Sequence, residues 1–292
     1  MGVAENFKAF TNNLRTTNHA IVSERCKRVT KRINLDFRGL DSSTSNSRYV
    51  GSYGRGTDIK GFSDVDILMV LPYDMYAKYN SYIGNGQSAL LQAVRNSIKL
   101  TYPNTEIGGD GQVVVVNFSD GVKFEIVPAF LNEGGKSYTY ADSNNGGSWK
   151  VCKPILEIEA INEQNKMYNK KVKHLVRMMK AWKNKNNVSI SGLLIETLVM
   201  NFMKDWEHND KSYIYYDWMA RDFFKYLSEC NPEQGYWLAW GSKQYVWRRG
   251  NFEYKAKQAY KTTLEAIEYD KKDYTYSAKE KWQEVFGKSY VG

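Results

Sequence analysis

Three kinds of material are scarce in this chain of 292 residues. Cysteine occurs only at Cys26, Cys152 and Cys230, an odd number with no Cys-x-x-Cys spacing. That pattern argues against a disulfide framework or a zinc site and fits a reducing, cytoplasmic setting. Histidine occurs only at His19, His174 and His208, too dispersed for a ligand motif. No apolar run approaches the 18 residues of a membrane span and no signal-like segment opens the sequence, so neither membrane insertion nor export is expected. Internal repeats, low-complexity tracts and obvious flexible linkers are missing too. What is present is ordinary for a packed globular protein, with 42% hydrophobic and 25% charged residues and enough length for one large or two medium domains.

Charge is unevenly placed. The net charge is +9, which suits a polyanionic substrate or partner. From Met1 to Arg38 eight Lys/Arg face three acids, and from Lys166 to Asn187 there are eight Lys/Arg and no acid. A third basic stretch runs from Ser242 to Lys261, where six Lys/Arg face the single acid Glu253.

The most informative run is Gly51 to Pro72, GSYGRGTDIKGFSDVDILMVLP. Asp64 and Asp66 stand i, i+2 at the mouth of an apolar strand and so share one side of it, with Val65 turned away. Two carboxylates on one side of a rigid strand can hold a divalent metal. Upstream, Gly51 and Ser52 offer backbone N–H groups and a hydroxyl suited to phosphate, with Arg55 and Thr57 as auxiliaries. A phosphate grip beside a metal grip is the equipment of nucleotidyl transfer. Two ions in such a reaction are bridged by three carboxylates, and Glu125 supplies the third: in Lys123-Phe124-Glu125-Ile126-Val127-Pro128 it is the lone acid of an apolar strand, costly there without a metal or a partner.

Around this run the pattern predicts a long spine helix from Val3 to about Phe37, with Phe7, Phe10, Leu14, Ile21, Val29 and Ile33 near one face. A strand is expected over Ile67 to Leu71, a helix over Ser88 to Leu100, and a hairpin of Gln112 to Phe118 with Val122 to Pro128 through Ser119-Asp120-Gly121. Ser137 to Trp149 reads as an exposed loop at the change of domain. Everything after about Asn162 reads as helical, including a helix whose buried stripe is Val172, Leu175, Val176, Met179 and Trp182. Lys170, Lys173, Arg177 and Lys180 form a separate basic face on it. Ser189 to Gly192 then caps the next helix. The basic face, like Lys27 and Lys31 on the spine helix, is either solvated surface or a contact for RNA or DNA.

GSYGRGT…SDVD…FEIVPA resembles the DNA polymerase β-type nucleotidyltransferases, in particular the CD-NTases, bacterial relatives of cGAS and oligoadenylate synthetase. LVRMMKAWK followed by ISGLLIETL is similar to their helical lobe, and AKEKWQEVFG to their ending. The resemblance implies an α/β (α+β) fold: a polymerase β-like core with a mixed sheet and the spine helix over residues 1–160, and a helical C-terminal lobe over 161–292. By position it implies that Asp64, Asp66 and Glu125 are the metal triad, Glu125 standing where aspartate is usual. It makes Ser52 the phosphate-binding serine, Lys180 the lysine reaching the triphosphate and Ser191 a serine near the same group. Gly192 or Leu193 stands where a base-stacking aromatic is usual, leaving Tyr213, Tyr215 or Tyr216 for that task or for core packing.

The expected activity is the joining of NTPs such as ATP and GTP, with two Mg²⁺ ions or Mn²⁺ and loss of pyrophosphate, into a cyclic di- or oligonucleotide. The resemblance implies an anti-phage second messenger acting on a downstream effector, with RNA or DNA as activator, and a cytoplasmic monomer away from membranes. Two other readings share parts of this equipment: a template-independent transferase adding nucleotides to an RNA end, protein or small molecule, and a nucleic-acid-binding module without catalysis.

Overall fold

The computed structural model describes residues 2–61 and 64–291, so Ser63 of the Ser-Asp-Val-Asp motif lies outside the described residues. In chain order the first elements are α1 (Val3–Asn13), α2 (His19–Arg38), β1 (Ser47–Tyr49), α3 (Gly51–Arg55), β2 (Val65–Val70), α4 (Tyr73–Asn80), α5 (Gly86–Thr101), β3 (Glu106–Asp110), β4 (Val113–Asn117), β5 (Lys123–Leu131), β6 (Tyr138–Asp142) and β7 (Ser148–Cys152). There follow α6 (Pro154–Met167), α7 (Lys171–Lys185), α8 (Gly192–Asp205), α9 (Tyr216–Ser228), β8 (Tyr236–Leu238), β9 (Tyr245–Trp247), α10 (Glu253–Lys271) and α11 (Thr275–Phe286). The chain divides into two compact units: Thr17–Arg55 with Ser63–Ile158, and Met1–Thr16 with Gly56–Phe62 and Glu159–Gly292.

The first unit is built on a mixed sheet of order β1-β2-β5-β4-β3, with β6 on β5 and β7 on β6. Among the described residues only the β2–β5 pair is parallel. Strand alternation gives the sheet two different faces. Val65, Ile67 and Met69 of β2 and Phe124 and Ile126 of β5 pack with Val22, Val29 and Ile33 of α2 and Leu90, Val94 and Ile98 of α5. On the opposite face Leu68 and Ala129 join Val50 and Tyr138 in a smaller cluster, and there the carboxylates project. The second unit has its own core, in which the expected stripe of α7, Val172, Leu175, Val176, Met179 and Trp182, is fully inside. Phe7 and Phe10 of α1 join this core, with Phe7 edge-on to Trp282 at 5.0 Å between centroids.

Four expectations are corrected. The spine helix is two helices, because residues 14–18 leave the helical path: the Thr16 hydroxyl donates to the Asp58 carboxylate, and the β-branched pair Thr16-Thr17 has little helix propensity to oppose the break. The break also divides the helix between the units, α1 counting with the second half of the chain. Ile21 is 44% exposed and Val22 fully buried, so Val22 takes the place expected of Ile21, while Val29 and Ile33 lie in the core as expected. Ser137 to Trp149 is not a loop: β6 and the start of β7 form a hairpin there, pairing Tyr138 with Cys152 and Asp142 with Ser148. Finally, the second half is not all helical, since β8 and β9 form a two-stranded antiparallel sheet.

Candidate active site

Parallel pairing of β2 with β5 sets Asp66 beside Glu125, on the sheet face turned away from α2 and α5. Asp64 sits just before β2 and, by alternation, on that same side. The three carboxylates expected to act together are thus brought to one place by register rather than by sequence proximity. Gly51 closes on them from above β2. Its φ is +56° and a Cβ there would fall 1.7 Å from Asp66 Oδ2, a position only glycine occupies without displacement. The chain enters this approach through a backbone hydrogen bond in which Val50 N–H donates to the Asp66 carbonyl, at 2.9 Å. Ser52 follows in the short helix α3.

No role for Lys123 was expected from the sequence. Its Nζ lies 3.0 Å from Asp64 Oδ2 and 2.7 Å from Glu125 Oε1, bridging the two. The signal was legible: Lys123 is i−2 from Glu125 on one strand, so both side chains leave the same face. Its hydrogen bond to Glu125, and then that to Asp64, hold the ammonium above the usual lysine range despite some desolvation. Burial pushes the Asp66 carboxyl up to about 6, the adjacent Glu125 adds to this, and Arg55 works against it. Arg55 is itself buried and ion-paired with Glu157 at 3.1 Å, which fixes it as an auxiliary positive charge in the same unit.

Three carboxylates, two of them bridged by one ammonium, carry excess negative charge and present hard oxygen donors, the donor set that suits Mg²⁺ or Mn²⁺. The residues therefore fit a divalent ion. Among the described residues no three His, Cys, Asp or Glu side chains form a ready-made metal cage; the Lys123 ammonium lies between Asp64 and Glu125.

The residues expected from the helical lobe lie in the second unit. Lys180 is buried, 3.1 Å from Glu196 Oε1, and donates to the Thr57 carbonyl at 3.0 Å and to its hydroxyl at 3.2 Å. Arg177 donates to the carbonyls of Asp58 at 3.1 Å and Gly56 at 2.6 Å. Lys173 donates to Asn162 at 2.6 Å. The basic face of α7 is therefore not an open stripe: Arg177 and Lys180 clamp residues 56–58, and only Lys170 is exposed. Ser191 caps α8, its hydroxyl accepting from Leu194 N–H at 3.1 Å. Tyr216 is buried against Tyr213, with ring centroids 4.4 Å apart, and Tyr213 and Tyr215, partly buried, pack on the same core. In the first unit Lys27 is exposed, and exposed Lys31 pairs with Asp41 at 2.8 Å.

Residues 1–165 match the family model of the Second Messenger Oligonucleotide or Dinucleotide Synthetase domain. A Bacillus cereus (strain VD146) protein named "Probable cyclic nucleotide synthase" is 26% identical over 208 residues, covering 61% of this chain and 60% of the relative. A cyclic AMP-AMP-AMP synthase of Acinetobacter sp. (strain ATCC 27244 / 9458) is 27% identical over 179 residues, covering 60% of this chain. The chain thus spans only 60% and 51% of the length of these two curated relatives. The apo structure of Vibrio cholerae DncV superposes with a TM-score of 0.72 at 12% identity, covering 96% of this chain and 93% of that one, a likeness of fold. No helix among the described residues is long and apolar enough to cross a membrane.

Proposed function

The chain belongs to the Second Messenger Oligonucleotide or Dinucleotide Synthetase (SMODS) family, and from that premise we propose that it joins NTPs, with loss of pyrophosphate, into a cyclic di- or oligonucleotide. The observation that carries this reading is the single cluster in which Gly51 meets Asp66 while Asp66 pairs in register with Glu125. A phosphate-binding turn and a carboxylate set held against each other are what transfer to an α-phosphate requires.

In this reading Gly51 and Ser52 bind the donor phosphates through backbone N–H groups and the hydroxyl. Asp64, Asp66 and Glu125 hold divalent ions, two Mg²⁺ or alternatively Mn²⁺. When bound, these ions lower the pKa of the attacking hydroxyl and neutralise the triphosphate. With ions held there, Lys123 would no longer bridge Asp64 and Glu125. Lys180 and Ser191 belong to the proposal as triphosphate contacts, alongside the clamp and the cap they form in the helical unit. ATP and GTP are the proposed substrates. The wider proposal places the product in anti-phage signalling through a downstream effector, in the cytoplasm. It takes RNA or DNA as activator at Lys27, Lys31 and Lys170, the expected contacts that are exposed; Lys173 and Arg177 are committed to internal hydrogen bonds.

The deciding experiment incubates the protein with the four NTPs and Mg²⁺ or Mn²⁺, with and without RNA or DNA, and identifies phosphatase-resistant products by mass spectrometry. Pyrophosphate release with a resistant, triphosphate-free product is expected, and its loss by more than a thousandfold in Asp64→Asn with Asp66→Asn. Products that retain a terminal triphosphate would move the assignment to a tailing transferase. Metal-independent turnover, or full activity in the double variant, would remove the carboxylates from the chemistry altogether.

A further inference from the structure

The β8–β9 hairpin has two contrasting faces. Cross-strand register pairs Tyr236 with Trp247, Trp237 with Val246 and Leu238 with Tyr245. Trp237 and Val246 point inward and are buried, whereas Tyr236, Leu238, Tyr245 and Trp247 are 43%, 48%, 60% and 62% exposed. In β9 Tyr245 and Trp247 are exposed while Val246 is buried, and Lys243 and Arg249 on either side of the strand are exposed as well; Lys243 stands at a turn position with φ +55° and its ammonium lies 5.5 Å from the Trp240 ring. Along the chain the two aromatics, about 6.8 Å apart between Cα atoms as i, i+2 neighbours on an extended strand, are thus flanked by an exposed cation on each side.

Everything on the inner side is tied down. Arg248 turns inward over Trp237 and Phe252, pairs with Glu253 at 2.6 Å, and donates to the carbonyls of Gln234 and Asn231 at 2.7 and 2.8 Å. The hairpin is thus a fixed support rather than a loose loop. No acid lies between Tyr236 and Arg249, and Glu253, the one acid of this basic stretch, is paired with Arg248. Tyr245 and Trp247 lie at 5.7 Å between centroids and 29° between planes, too close for a base to enter between them. Their outer surfaces, with Tyr236 edge-on to both at 4.7 and 5.4 Å, make a continuous aromatic platform.

We propose that this outer face binds single-stranded RNA, with bases stacking on Tyr245 and Trp247 and backbone phosphates meeting Lys243 and Arg249. Stacking on aromatics is indifferent to base identity and needs unpaired bases, which selects a single strand over a duplex. The flanking cations supply charge complementarity. The hydroxyls of Tyr236 and Tyr245 can both donate to and accept from a 2′-OH, which favours RNA over DNA. The inference is independent of the synthetase reading, because it concerns binding alone and none of its residues belongs to the carboxylate site.

The test is fluorescence anisotropy of the full chain with a labelled oligouridylate of about a dozen nucleotides, its duplex with oligoadenylate, and oligodeoxyuridylate. Tightest binding to the single-stranded RNA is expected. Tyr245→Ala with Trp247→Ala should weaken it at least tenfold with the melting temperature unchanged. Lys243→Ala with Arg249→Ala should weaken it and lower the salt slope by about 1.4, as expected for two lost phosphate contacts. Absent binding, equal binding by the aromatic variant, or duplex or DNA binding at least as tight would overturn the proposal. So would a wild-type dimer, or co-sedimentation with phosphatidylserine vesicles, that is lost in the same aromatic variant, since either assigns the face to another occupant.

Discussion

At the scale of single residues, Gly51 and Lys123 carry information that residue type alone does not. Gly51 has no side chain because Asp66 occupies the place where one would stand. Gly51→Ala should therefore push the Asp66 carboxylate aside and cost on the order of a hundredfold in turnover, the usual effect of a displacement near 1 Å at a reacting centre. Pyrophosphate release checks the turnover, and a circular dichroism spectrum like that of the wild type shows that the fold survives. Lys123 acts in the opposite sense, as a resident cation among the carboxylates. Lys123→Gln should remove its competition with a divalent ion and tighten Mn²⁺ binding severalfold by isothermal titration. Weaker Mn²⁺ binding would show instead that the ammonium organises the carboxylates for the ion.

At the scale of elements, α7 shows why a basic helix face need not be a polyanion surface. Its sequence separates an apolar stripe from a basic one, yet Arg177 and Lys180 are spent on residues 56–58, and Lys180 lies beside the fully buried Glu196. A buried charge that loses its partner is expensive, whereas replacing both members with apolar groups removes the desolvation cost of each. Lys180→Met alone should thus destabilise the protein by roughly 3–5 kcal/mol, and Lys180→Met with Glu196→Leu should recover much of that in urea unfolding. If the double variant regains stability but not activity, Lys180 also acts on the nucleotide, as proposed. Recovery of both would confine it to the clamp.

At the scale of the whole molecule, two buried groups give opposite dependences of stability on pH. Burial, helped by the charges of Arg177 and Arg15, lowers the His174 pKa to about 4 from 6.5. The unfolded chain then takes up a proton that the folded chain refuses, so this contribution is complete above pH 6.5 and is lost as the pH falls toward 4. Asp217 is raised by burial to about 6 from 3.8, Asp270 adding to the effect and the Trp218 amide opposing it. Here the folded chain holds the extra proton, so stability falls as pH rises through that window. The two slopes oppose one another between about pH 4 and 6, each at most about 1.4 kcal/mol per pH unit. His174→Gln should leave a protein that loses less stability than the wild type between pH 7 and 5, and Asp217→Asn one that loses more, as urea midpoints at several pH values would show.

The parts of the candidate site were legible in the sequence because they are local. An i, i+2 pair of aspartates at a strand mouth, a Gly-Ser turn a dozen residues earlier and a lone glutamate in an apolar strand each follow from residue type and a period of two. The α7 core stripe follows from a period of 3.6 in the same way. What the sequence did not disclose depends on partners far along the chain. The break after Leu14 is invisible to periodicity, since the apolar pattern runs through it and the Asp58 that draws Thr16 away lies 42 residues on. The β6–β7 and β8–β9 hairpins were hidden because short strands in Tyr- and Asn-rich segments become strands only by pairing. By itself, the sequence determined which residues could hold phosphate and metal. Only tertiary structure decided that Lys123 bridges two of the carboxylates, that Arg177 and Lys180 of α7 face inward, and that the rings of Tyr245 and Trp247 face outward. Charge and aromatic character are properties of residues, whereas the direction a side chain faces is set by what the rest of the chain packs against it.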